Sequence, residues 1–94
     1  MNELSLIKVK KVEPLEGYRL RVWFSDGSVG ERDLADVVAQ GGPMLAPLTD
    51  PAYFARVFVK FGAPTWPNGF DLAPNALYAE MAESGLLQPA SSVR

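Results

Sequence analysis

The sequence predicts a small α+β domain: an antiparallel sheet of four to six strands with two or three short helices, one of them C-terminal. Apolar and polar residues alternate through "YRLRVWF", Tyr18 to Phe24, the signature of a half-buried strand. Leu77, Tyr78, Met81 and Ala82 fall at helical spacing behind Pro74. A chain of 94 residues has room for one modest core. Residues 1–86 are expected to form that single domain, and 87–94 a flexible C-terminal tail.

Each element follows from local chemistry. Ile7, Val9 and Val12, separated by Lys8, Lys10 and Lys11, predict an amphipathic first strand. Pro14 and Gly17 punctuate a turn. In the second strand Tyr18, Leu20, Val22 and Phe24 share one face, and Arg19, Arg21 and Trp23 the other. "SDGS", Ser25 to Ser28, predicts a hairpin of type I′, because Asp-Gly supplies positive φ. A third strand is expected over 29–32. Asp33 is the expected N-cap of a short helix that Gly41 and Gly42 end, with Asp36 favourable to its dipole. Asp50 repeats the cap signal, with Pro51 at the first helical position. A fourth strand is expected over 56–61, a turn at "GAP", and a fifth short strand from Thr65 and Trp66. Gly85 ends the last helix. The expected core is Leu20, Val22, Phe24, Val57, Val59, Leu77 and Met81.

Composition excludes a good deal. The chain has no cysteine and no histidine, which removes disulfides, zinc-thiolate sites, cysteine nucleophiles and histidine bases. "QGGPM" lacks the lysine and spacing of a phosphate loop. The net charge of −2 argues against nonspecific nucleic-acid binding as the main activity, although cations concentrate early in the chain. No apolar run approaches the ~18 residues of a membrane span. Without a targeting segment at the start, a cytoplasmic protein is expected.

Carboxylates are the remaining candidates for catalysis. Asp26, Asp33, Asp50 and Asp71 each occupy a turn or helix-start position, and Asp36 lies one turn into its helix. Asp33 and Asp71 could hold a magnesium ion only if their helices began at one sheet edge. No catalytic residue, metal site or cofactor is predicted from them. "TWPNGFDLAP", Thr65 to Pro74, reads as a strand-to-helix joint. Trp66 is extended because Pro67 follows it, and Pro67, Asn68 and Gly69 suit successive turn positions.

The candidate interaction residues are Arg19, Arg21 and Trp23, with Trp66 as a weaker one. Arginine and tryptophan dominate interface hot spots, and the first three share a strand face. That face either meets a partner or lies beneath the last helix with Trp23 in the core. Glu80 and Glu83 form an acidic stripe, either solvated or facing a basic partner.

"YRLRVWFSDGSVGERDL", "LAPLTDPAYFARVFV" and "WPNGFDLAPNALY" together resemble the bacterial family known as domain of unknown function 2442. The resemblance spans about Val9 to Tyr78. It implies a compact α+β domain and carries no catalytic residue over. Some similar proteins continue into a helix-turn-helix; "LLQPASSVR" is too short for one. Others are encoded beside a small partner protein, which implies an antitoxin-like role. The expected function is therefore a non-enzymatic protein-binding module, self-associating or held by an adjacently encoded protein. A nucleic-acid-associated regulator and a carboxylate-metal enzyme are the alternatives.

Overall fold

Val9 and Val12 both turn inward although they stand three positions apart, which a regular strand forbids. A β-bulge resolves the conflict. In the computed structural model, which describes residues 7–89, strand β1 (Val9–Leu15) pairs antiparallel with β2 (Arg19–Phe24). Val9 lies opposite Phe24 and Lys11 opposite Trp23, so Lys10 is the extra residue. Strand β3 (Ser28–Asp33) pairs on the other side of β2, and β6 (Gln88–Pro89) adds two residues to the edge of β3. The order of this sheet is β1-β2-β3-β6. A second, two-stranded sheet joins β4 (Phe58–Lys60) to β5 (Ala63–Thr65). The six strands thus divide between two antiparallel sheets. The helices are α1 (Ala35–Ala39), α2 (Pro51–Phe54) and α3 (Pro74–Glu83).

Leu20, Val22 and Phe24 are buried on the inner face of the main sheet, as their alternation predicts. Helix α3 lies on that face. Its Leu77 and Met81 join the same core, and the Tyr78 ring meets Phe24 edge-on at 5.0 Å. Gly30 makes the approach possible: a Cβ there would stand 2.3 Å from the Leu86 carbonyl oxygen and 3.0 Å from Met81 Cε. Val57 and Val59, expected in the core, are half-buried and pack against its margin. Leu34, Val38, Leu48 and Phe54, buried beside them, come from the short helices and the connector.

Trp66 is the centre of the second half. It is fully buried, its indole Nε1 donates to the Phe54 carbonyl at 2.9 Å, and its ring lies 5.7 Å from both Phe54 and Phe70. The Phe54 ring meets Tyr18 edge-on, extending the aromatic row. The joint closes as read: Gly69 N donates to Trp66 O at 2.9 Å across Pro67 and Asn68. Asn68 also donates to the Met44 carbonyl and accepts from Phe70 N, so one side chain ties the turn to the connector.

Several local expectations are corrected. Asp33 is the last residue of β3, not the N-cap, which is Leu34; its carboxylate accepts from Ala35 N, the first residue of the helix, at 2.9 Å. The β2–β3 connection is not type I′. Asp26 keeps a negative φ and only Gly27 is left-handed (φ 91), with Gly27 N donating to Phe24 O at 3.1 Å. Tyr18 leaves the strand for a left-handed position in the β1–β2 turn (φ 64), where its hydroxyl donates to the Thr49 carbonyl. Strand β4 is shorter than 56–61, and the chain reverses at Phe61–Gly62 rather than at "GAP". Asp50 does cap α2, accepting from Ala52 N at 3.0 Å, with Pro51 at the first helical position. Of the tail read from residue 87, Gln88 and Pro89 are a strand on the edge of β3, and 90–94 lie outside the described residues.

Candidate interaction face

The outer face of β1–β3 points away from α3, so no described helix covers it. Its rows follow from the register. Trp23 stands between Lys11 on β1 and Val29 on β3, and Arg21 between Glu13 and Glu31. The alternation that buries Leu20, Val22 and Phe24 necessarily sends Arg19, Arg21 and Trp23 to this side. Trp23 is half-buried rather than core, and the Lys11 ammonium lies 4.7 Å over its ring centre.

The two arginines are already occupied. Arg21 Nη2 donates to Glu31 Oε2 at 2.7 Å and Arg21 Nη1 to Glu13 Oε1 at 3.4 Å. Arg19 Nη1 donates to Glu31 Oε1 at 3.0 Å. The Glu31 carboxyl is held below its ordinary range by the hydrogen bond from Arg21, and the Arg21 guanidinium is raised by the same bond. These pairs are exposed and add little stability. They fix the orientation of the side chains beside Trp23. The Glu13 and Glu31 partners were legible in principle: both lie opposite Arg21 once the two hairpin registers are known.

An open groove of about 720 Å³ runs along this face at the β3 edge, bounded by Arg21, Trp23, Val29, Glu31, Leu86 and Gln88. Leu86 is among the exposed large apolar residues. Arg19, Arg21 and Trp23 are therefore brought together, and Arg21 and Trp23 border the groove. Trp66 is not among them. It was a candidate surface anchor and is corrected to a core residue, because its indole finds both its apolar partners and its acceptor inside the fold.

Most of the aspartates have local partners. Asp26 accepts from Ser28 N at 2.9 Å and from the Tyr78 hydroxyl at 2.6 Å. Burial pushes its carboxyl up, but those hydrogen bonds outweigh burial and bring it below the usual range. Asp36 pairs with Arg32, and Asp71 forms a single backbone bridge with Thr65. Glu80 of the acidic stripe meets Arg32 Nε at 3.4 Å. Among the described residues no three acidic side chains come together to hold a metal ion, and no helix is long and apolar enough to cross a membrane.

The family profile described as "Protein of unknown function (DUF2442)" matches residues 9–83, from the first residue of β1 to the last of α3. The chain belongs to that family. Among solved structures it is similar to the "Putative DNA Binding Protein NE0471" from Nitrosomonas europaea ATCC 19718. The two are 34% identical with a TM-score of 0.69, over 84% of this chain and 52% of that one. The chain thus spans about half the length of that relative. Comparison with curated proteins found no match.

Proposed function

We propose that this domain is a non-enzymatic binding module that holds a protein partner on the outer face of its main sheet. The pairing envisaged is antitoxin-like or regulatory, with an adjacently encoded protein. One observation carries the reading: Trp23 is left half-exposed on a sheet face that α3 does not cover, beside an open groove edged by Leu86. A large indole in such a place contributes nothing the core needs and offers broad contact area. The arginine–glutamate ladder around it supplies ordered polar groups for an interface rim.

The test is co-expression with the neighbouring gene product, followed by co-purification and light scattering. Trp23→Ala is expected to weaken the complex by about 1–2 kcal/mol or more while the isolated domain stays folded. A strict monomer that captures no neighbour-encoded protein and melts early on Trp23→Ala would sink the reading. Association with nucleic acid is the second reading, favoured by the DNA-binding description of the 34% identical structure.

A further inference from the structure

Among the described residues the cations outside ion pairs are Arg56, whose guanidinium lies over the Tyr53 ring, and the lysines. All four lysines, Lys8, Lys10, Lys11 and Lys60, lie in or beside β1 or on the β4–β5 hairpin. The two elements are fastened together: Val9 N donates to Gly62 O at 2.8 Å, and the Lys8 side chain lies against Gly62. The bulge at Lys10 brings Lys10 and Lys11 onto one hollow with Trp23. Among the described residues none of the four lysines is in an ion pair, whereas Arg19, Arg21 and Arg32 all are.

Two exposed aromatic rings flank Lys60 on the hairpin. Phe61 is 88% exposed and Phe58 is 42% exposed. Phe58 and Lys60 share one face of β4, and the Lys60 ammonium sits 5.8 Å from the Phe61 ring centre. Phe61 is also left-handed (φ 53), followed by left-handed Gly62 (φ 75). A phenylalanine in that conformation costs the fold roughly 1 kcal/mol or more, and its ring recovers almost nothing by burial. Asparagine would suit the turn better. The ring at the tip is thus unexplained by folding.

We propose that this edge, Lys8, Lys10, Lys11 and Lys60 with Phe58 and Phe61, binds single-stranded nucleic acid. Phosphates lie along the ammonium groups and unstacked bases rest on the exposed rings. The inference rests on the nucleic-acid reading and deepens it; the protein-binding reading does not depend on it. Lysine serves phosphate as a point charge, while Arg19 and Arg21, whose forks suit carboxylates, are taken up by Glu13 and Glu31. Ring faces accept any base, which gives binding with little sequence preference. A duplex fits poorly, since its bases are stacked inside the helix and offer the exposed rings no free face.

Fluorescence anisotropy with a labelled oligothymidylate of about 15 nucleotides tests the proposal. Binding is expected at low salt, stronger than to the same strand annealed to oligoadenylate. The log–log salt slope should be about −2 to −3, at ~0.7 per neutralised phosphate. Phe61→Asn should lower affinity by roughly fivefold or more through lost stacking, while melting no earlier than wild type. Lys10→Gln with Lys60→Gln, both exposed, should flatten the slope by about 1.4. Binding that ignores these substitutions overturns the proposal but leaves the nucleic-acid reading standing. No binding to either single strand or duplex removes both. Equal affinity for the duplex, or displacement by oligoglutamate of equal charge at equal concentration, also overturns it, the latter pointing to an acidic protein segment.

Discussion

Replacing Trp66 with alanine tests the core assignment at its most concentrated point. The side chain is wholly buried, contacts Phe54 and Phe70, and satisfies the Phe54 carbonyl through Nε1. Truncating a buried tryptophan costs about 3–5 kcal/mol through lost transfer energy and the cavity left behind. Losing the indole donor adds about 1 kcal/mol, toward the low end because Val57 N still reaches the same carbonyl at 3.4 Å. The total, about 4–6 kcal/mol, compares with a whole-domain stability of roughly 5–14 kcal/mol for a chain this long. Trp66→Ala should therefore leave the domain at the margin of folding. Trp66→Phe, which keeps an aromatic ring but loses the donor, should fall between it and wild type. Urea unfolding followed by far-UV circular dichroism measures both. A loss below about 1.5 kcal/mol for the alanine variant would refute the assignment of Trp66 to the core.

Gly30→Ala should destabilise the domain by more than about 2 kcal/mol, because the new methyl would collide with the Leu86 backbone carbonyl, which cannot rotate away; an unchanged denaturant midpoint would show that Leu86 does not approach Gly30 as described. The pH dependence follows from Asp26 and Glu31, whose folded-state acidities are both raised, that is, whose pKa values are lowered. Their contribution is fully present above the unfolded-state values and is lost as pH falls through the folded ones, from about pH 4 downward. Tyr78→Phe removes the hydrogen bond that lowers Asp26, so it should reduce the drop in thermal midpoint between about pH 5 and pH 3; an identical drop in wild type and variant would contradict this.

What could be read from the sequence was whatever a short window determines. The alternation from Leu20 to Phe24, the Asp50–Pro51 helix start, the Pro67–Gly69 turn and the Leu77/Met81 stripe each depend on neighbours within a few positions. The features that escaped depend on partners far along the chain. Nothing local says that Lys10 is an extra residue; that follows from pairing Val9 with Phe24. Nothing local marks Phe61 as left-handed, since phenylalanine is a poor residue for that region. The Asp-Gly pair signals a hairpin but not its type, because one left-handed residue or two can serve it. The candidate face was legible as a row of side chains on β2, yet its coverage was not, because only tertiary placement of α3 decides which side of the sheet stays open. Trp66 was ambiguous for the same reason: an extended residue ahead of a proline can point either way.

The two-residue pairing of β6 bears on how this domain should be handled. Gln88 sits opposite Val29 at the rim of the groove beside Trp23. A fluorophore attached to Gln88 would therefore be leashed to the mouth of that groove. At such a short tether its local concentration reaches the millimolar range, enough to compete with a genuine partner of modest affinity. Labels inserted at the Gly41–Gly42 turn, which borders no part of the groove and has open space around it, would report on binding without occupying the surface they are meant to observe.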